Sequence, residues 1–191
     1  DASKMGVPQR RERVFFIGLR KDLATPFLYQ HDMFTFLPRI DLNFNEAKIV
    51  FSEIMEADAP QNTMTDFKLE LMAEAKYGER DLQHACERLH GKRNNFGDKI
   101  LYQDGVCGTI TSNNYETIWG ENRLKTDLET IYAGAFPSDY NFLNAGVSYT
   151  IAMSVPPVMT AQIASRIWGQ WLSRIGSGGK IFEASKPPTL F

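Results

Sequence analysis

The side chains best suited to chemistry stand close together near the start of the chain, at Gln9, Arg10, Arg11 and Arg13. A guanidinium offers a fixed fork of donors, which suits phosphate oxygens and carbonyl groups. In an extended segment alternate side chains share a face, so Arg11 and Arg13 point one way and Arg10 the other. The pattern predicts a grip on an anionic or carbonyl-bearing ligand. On residue types alone the alternative is a solvated basic loop at a sheet edge, with Glu12 pairing a neighbour.

Two later clusters of polar side chains are candidates for contacts with the same kind of ligand. The first is a basic loop, and the second is a run of small polar residues after a turn. Lysine and arginine contact phosphates, whereas amides and hydroxyls can also contact base edges. For each cluster the alternative is a polar loop without a ligand. The candidates are Lys92, Arg93, Asn94, Asn95, Thr109, Thr111, Ser112 and Asn113.

The cysteines and histidines do not form a recognisable metal site. The chain has two cysteines, Cys86 and Cys107, and neither belongs to a Cys-x-x-Cys pair. Cys86 and His90 lie four positions apart on a predicted helix, yet no second ligand pair follows at the spacing of a zinc site. We therefore expect no metal, and two structural cysteines in a reduced, cytoplasmic setting.

Composition excludes some classes of partner. Hydrophobic residues make up 43% of the 191 residues and the net charge is −2. No apolar run approaches the ~18 residues of a membrane helix, so no membrane partner is expected. Because DNA-binding domains are usually basic overall, any contact with nucleic acid has to come from local patches. The chain begins without Met, which favours a fragment or a processed product.

Hydrophobic patterning predicts the elements that position these residues. The apolar run over 13–19 predicts a strand buried on both faces, entered by a loop that contains Pro8. Capping residues and glycine stops predict helices. The predicted helices are a short one over 53–57 after Ser52, one after Thr65 that ends before Gly78, one over 79–90, one over 127–135 after Thr126, and a last one from Pro156 and Pro157 to Gly176. Short strands are predicted at 100–102 and 108–112, joined by a turn at 104–105.

Three segments, in order, resemble motifs of the DNA cytosine-5 methyltransferases. Residues 6–18, GVPQRRERVFFIG, resemble the eighth motif, a Gln-Arg-x-Arg loop that enters a central strand. Leu124, Thr126 and Glu129, followed by AFPSDY over 135–140, resemble the ninth. SVPP over 154–157 resembles the tenth, the last of the family. Order and spacing both match, which makes coincidence a poor explanation.

The resemblance implies a fold and a domain organisation. The fold class is α/β, or α+β in isolation: the C-terminal part of a Rossmann-like methyltransferase sheet with a small mixed target recognition domain. Residues 1–38 would contribute the last strands of the catalytic domain and 39–145 the target recognition domain. Residues 146–191 would form the helix that returns to the catalytic domain, with Trp168 and Trp171 buried against the absent half.

The resemblance also implies roles for residues. Arg13 would contact the target cytosine, and Arg11 would help with the backbone and the pocket, so both are the catalytic candidates. Gln9 would line the loop. Ser154 and Met153 would lie near S-adenosylmethionine, although Ala152-Met153 stands where the family has Gly-Asn. For Ser154 the alternative is a cap of the helix that follows.

The implied reaction moves a methyl group from S-adenosylmethionine to carbon 5 of a cytosine flipped out of duplex DNA. The family's nucleophile is a Cys after a Pro, and neither Cys86 nor Cys107 has that context. The Gly-rich cofactor loop is also absent. We therefore expect this chain alone to be inactive, with duplex DNA and an N-terminal catalytic half as partners and the cofactor bound mainly by that half.

Two other hypotheses stay open on the sequence alone. One is a non-catalytic DNA-recognition subunit of a split methyltransferase. The other is an α+β domain unrelated to DNA, which the negative charge favours. For the methyltransferase hypothesis we expect a bacterial or phage origin, with a role in DNA methylation or restriction-modification.

Overall fold

The computed structural model describes residues 1–30, 32–95, 97–112 and 116–175. The candidate Asn113 and the predicted helix end at Gly176 lie outside these ranges. The described residues form helices and two small sheets, a mixture consistent with the α/β class. The helices are α1 (Lys21–Ala24), α2 (Asp66–Glu74), α3 (Gln83–His90), α4 (Asp127–Ala133), α5 (Val147–Met153) and α6 (Pro157–Gln170), and the strands are β1 (Leu28–Gln30), β2 (Phe36–Pro38), β3 (Ile100–Leu101) and β4 (Thr117–Ile118).

The chain divides into two compact units. Unit 1 comprises Asp1–Arg13 and Glu46–Val158, and unit 2 comprises Val14–Asn45 and Met159–Phe191. Unit 1 holds every one of the predicted contact residues that the structure describes. The three-part division expected from the sequence stays a prediction.

The described residues of unit 1 include two apolar cores. The larger one brings together Phe51, Ile118, Ile131 and Ile151 with their buried neighbours. The smaller one lies under α2 and α3 and is centred on Leu71 and Leu82. Full burial of such a side chain contributes about 1.5–3 kcal/mol, so these cores hold the loops between the elements in place.

Local capping explains three of the helices, as the sequence predicts. Thr65 accepts a hydrogen bond from the Lys68 amide at the start of α2. Gly91 ends α3 with a left-handed φ of 66°, which glycine adopts without strain. Thr126 and Glu129 cap the first turn of α4 reciprocally. Helix α3 begins at Gln83, four residues later than predicted, and α4 ends two residues early.

The predicted strand over 13–19 is wrong, because its backbone pairs with no other segment in the described part of the chain. A buried strand needs neighbours on both sides, and here Val14 and Phe16 are 81% and 97% exposed. The predicted helix over 53–57 is also wrong. A 3-10 turn at Phe51–Glu53 replaces it, and the amide of its N-cap residue Val50 donates to the Glu53 carboxylate.

Of the two short strands predicted at 100–102 and 108–112, the first is present as β3, whereas the second is wrong. The turn exists, since the Gly105 amide donates to the Tyr102 carbonyl at 3.0 Å. However, β3 pairs in parallel with β4, and Cys107 makes a parallel bridge with Gln9. The segment after the turn therefore pairs with the N-terminal loop at Gln9 and not with residues 100–102.

Unit 2 consists of α1, the antiparallel pair β1–β2, and most of α6. The indole of Trp171 is buried within this unit, where it packs near Phe27 and donates to the Arg39 carbonyl at 2.8 Å. Its expected burial against an absent half is therefore wrong. Trp168 is 63% exposed. Helix α6 begins at Pro157 as predicted, but it ends at Gln170 and is followed by a 3-10 turn at Leu172–Arg174.

Candidate functional site

The arginine segment is fastened to the chain that follows the Gly105 turn. The Arg10 amide donates to the Cys107 carbonyl at 2.9 Å, and the Thr109 hydroxyl donates to the Arg10 carbonyl at 2.6 Å. Gln9 is fully buried. Its side-chain oxygen accepts from the Ile110 N–H, and its side-chain nitrogen donates to the Ala133 carbonyl at 3.3 Å. The structure thus places Gln9, Arg10 and Thr109 together, with Gln9 directed into the protein.

The buried Arg11 side chain donates hydrogen bonds to backbone carbonyls of three residues. Its side chain is only 1% exposed and donates to Ile110 at 3.3 Å, to Ser154 at 2.9 Å and to Ala152. Its Nε is buried without a partner among the described residues. These bonds join three segments that are remote in sequence, so Arg11 acts as an internal tie in unit 1.

Arg13 lies beside Arg11 but remains exposed. One terminal nitrogen donates to the Glu12 carbonyl at 2.8 Å, and the other is 3.5 Å from the Ala152 oxygen. Both Arg11 and Arg13 therefore reach the same carbonyl, as the alternation of an extended segment predicts. Arg13 keeps donors directed outward, and a ligand can reach them.

Arg10 lines a cleft of about 540 Å³ that we call the Arg10 cleft. Two further cations line it, Arg80 and Lys99, and nothing in the sequence pattern had marked them as contact candidates. Thr109 and Gly108 lie on its wall. Arg80 stands just before α3 and Lys99 just before β3, so only the folded chain brings them near Arg10.

Ser154, one of the two cofactor candidates, makes hydrogen bonds within unit 1, and Met153, the other, is exposed. The Ser154 hydroxyl donates to the Ile151 carbonyl at 2.8 Å, its amide donates to the same carbonyl, and its own carbonyl accepts from Arg11. Ser154 therefore caps the end of α5, the preceding helix, rather than the start of the following one. Met153 is 71% exposed. The contact of these two residues with a cofactor stays a prediction.

Arg123, which the sequence motifs did not mark as a candidate, forms a buried ion pair in unit 1. Its side chain is 1% exposed and forms a bidentate pair with the buried carboxylate of Glu129, at 2.7 and 2.9 Å. Burial by itself would raise the pKa of Glu129, but hydrogen bonds from Arg123 and from the amides of Thr126 and Glu56 hold it below its usual value. The sequence signal was available: an arginine three positions before a Thr-x-x-Glu capping box.

A second buried pair braces the Arg10 cleft. Lys125 binds one carboxylate oxygen of Glu116, and the other oxygen accepts from the Gly108 amide at 3.1 Å. A Cβ on Gly108 would come within 3.0 Å of that oxygen, so glycine permits the contact. The pair fixes the start of the 108–110 segment, to which Gln9 and Arg11 bind.

Neither cysteine is placed for nucleophilic work. Cys86 is buried in the smaller core and Cys107 is fully buried. Burial raises the pKa of the Cys107 thiol to about 12, so it holds its proton at neutral pH. A thiol is a nucleophile as the thiolate, and this environment suppresses that form.

The remaining predicted contact residues fall into two groups. Lys92 and Asn94 are exposed, whereas Arg93 pairs with Glu87 at 2.9 Å and Asn95 donates to Asp98 at 2.8 Å. These described contacts are with neighbours in the α3 region and not with the arginine segment. Thr111 and Ser112 are exposed close after Thr109.

The described residues contain neither a cluster of metal-ligating side chains nor a helix that could span a membrane. No group of three or more His, Cys, Asp or Glu side chains is arranged to hold a metal ion. No helix there has the length and apolar character needed to cross a membrane.

Comparison with known proteins gives one match. The family model for C-5 cytosine-specific DNA methylase matches residues 1–169. No curated protein and no solved structure matches the chain.

Proposed function

This chain belongs to the C-5 cytosine-specific DNA methylase family, and from that membership we propose that it is the DNA-binding and target-recognition portion of a DNA cytosine-5 methyltransferase. The family acts on DNA and in general uses S-adenosylmethionine. The observation that carries the proposal is the arginine pair: a buried Arg11 that ties three segments together beside an exposed Arg13.

The two arginines divide the work in this proposal. Arg13 presents free guanidinium donors to the carbonyl of a flipped cytosine or to a nearby phosphate, as a rigid fork does well. Arg11 is a positioning residue, because its donors are used on the carbonyls of residues 110, 152 and 154. Gln9 likewise holds the loop rather than DNA.

The nucleophile is supplied by a catalytic half outside these 191 residues, in the same polypeptide or in a separate subunit. The burial of both cysteines supports this, as does the raised pKa of Cys107. The internal hydrogen bonds of Ser154 support a cofactor held mainly by that half. We extend the proposal to DNA methylation or restriction-modification in a cytoplasmic setting of bacterial or phage origin.

Duplex binding measured across salt concentration tests the proposal. A DNA lobe should bind a labelled duplex with a log affinity that falls by about 0.9 per phosphate contact for each decade of salt. Arg13→Ala should weaken binding, whereas Arg20→Ala should not, since Arg20 is exposed and already paired with Asp22 at 2.6 Å. Absence of binding at low salt, even with the catalytic half supplied, would refute the proposal.

A further inference from the structure

We infer that the Arg10 cleft holds a phosphate of the DNA backbone, with Arg10, Arg80 and Lys99 as its cationic side chains. This deepens the proposed function and rests on it, because it says where DNA bound by this lobe is gripped. Only Arg10 of the three was a candidate from the sequence.

Each of the two acidic side chains that line the cleft is paired with a cation from outside it, although Arg88 is shared between Glu79 and Glu74. Glu79 receives two hydrogen bonds from Arg88, at 2.7 and 3.1 Å. Glu116 pairs with Lys125. In contrast, none of the described residues forms an ion pair with the side chain of Arg10, Arg80 or Lys99. The cleft therefore keeps an excess of positive charge although the whole chain carries −2.

Hydrogen bonds to other segments hold the backbone of all three cationic residues. The Arg10 amide and carbonyl are bound by Cys107 and Thr109. The Arg80 carbonyl accepts from the Ile100 amide at 3.0 Å, and the Lys99 carbonyl accepts from the Thr117 amide at 2.8 Å. Because the backbone at these three positions is held, only side-chain freedom is lost when the cations bind an anion, which favours binding.

The walls suit a phosphodiester. The volume of about 540 Å³ lies within the range of small-ligand pockets. Gly78, Gly105 and Gly108 line the cleft, so at these three positions no side chain blocks an incoming backbone. Lysine and arginine donors that meet phosphate fix the position of a duplex without reading its sequence. We therefore expect the contact to be independent of sequence.

The test is a salt titration of duplex binding by the full chain. Arg80→Gln and Lys99→Gln should each lower the salt slope by about 0.9 and weaken binding by on the order of tenfold at 50 mM salt. The effect should be equal for two duplexes of unrelated sequence. Arg80→Lys and Lys99→Arg should keep the wild-type slope, because they keep the charge. Lys48→Gln is the matched control, since Lys48 is an exposed cation of unit 1 outside the cleft.

Each other outcome has a definite meaning. Wild-type slopes in the glutamine variants, with steep wild-type binding, would overturn the cleft assignment and leave the proposed function intact. An effect on one duplex alone would replace phosphate contact by base reading and overturn it as well. Competition by inorganic phosphate beyond that of chloride at equal ionic strength would make the cleft a free-phosphate site. If the wild type binds no duplex, the proposed function fails and this inference fails with it.

Discussion

Arg11 and Arg13 are two positions apart, yet they have opposite surroundings. Alternation along an extended segment places both on one face, and the structure agrees, because both reach the Ala152 carbonyl. Sequence spacing cannot tell which of the two is covered. That depends on Ile110 and Ser154, which lie about a hundred or more positions along the chain. Local pattern therefore predicts the cluster, and only the fold separates the buried tie from the exposed donor.

The difference between the arginines gives a stability prediction. Arg11→Ala should lower the free energy of unfolding by about 3 kcal/mol, because it leaves buried carbonyls without donors. Arg11→Lys should recover only part of this, since an ammonium cannot span three separate acceptors. Arg13→Ala is the control and should stay within about 0.5 kcal/mol. Urea unfolding measures all three, and equal losses for Arg11→Ala and Arg13→Ala would contradict the assignment.

Cys107 gives a prediction in alkaline solution. Its folded pKa of about 12 lies above the ordinary value of 9.0. The folded chain therefore retains a proton that the unfolded chain releases, so this stabilisation is complete below pH 9 and is lost as the pH rises towards 12. Unfolding measured from pH 8 to 11 should show a decline that Cys107→Ala reduces. The native thiol should also resist a disulfide reagent at pH 8, and rapid labelling there would argue against its burial.

At the scale of the element, helix ends were predicted best, because capping residues signal them locally. Thr65, Gly91 and the Thr126–Glu129 box mark helix ends through hydrogen bonds within one turn. The strands were predicted worst, because a strand is defined by its partner. The segment over 108–112 meets the Gln9 loop rather than residues 100–102, and the apolar run over 13–19 finds no partner in the described ranges. Residue types give no information on these distant pairings.

The cap of α4 gives a prediction in acid. The lowered pKa of Glu129 means that its charge stabilises the fold above its ordinary pKa of 4.5 and that this is lost as the pH falls through the folded pKa. Glu129→Gln should cost about 3 kcal/mol at pH 7, since Arg123 stays buried without its main partner. The variant should also lose less further stability than the wild type between pH 5 and 3. Glu70→Gln, on an exposed carboxylate, should change neither quantity, and parallel acid profiles for Glu129→Gln and wild type would contradict the assignment.

At the scale of the whole molecule, family membership and structure answer different questions. Charge and composition argued mildly against nucleic acid, whereas three ordered motifs pointed to a DNA methylase, and the family match over residues 1–169 agrees with the motifs. An overall charge of −2 conceals a local excess of cations in the Arg10 cleft. Local charge is therefore the better guide to a partner, and it emerges only when Arg10, Arg80 and Lys99 are brought together.

The chain as a whole should bind DNA without methylating it. With labelled S-adenosylmethionine and duplex DNA, we expect no incorporation by the chain alone, because both of its cysteines are buried. Addition of a catalytic half that carries the Pro-Cys nucleophile should restore transfer. In that complemented enzyme, Arg13→Ala should lower kcat on the order of a hundredfold, as loss of an active-site donor does, while Arg20→Ala should match the wild type. Incorporation by the chain alone would show that it carries its own nucleophile and would overturn the assignment of the missing chemistry to another segment.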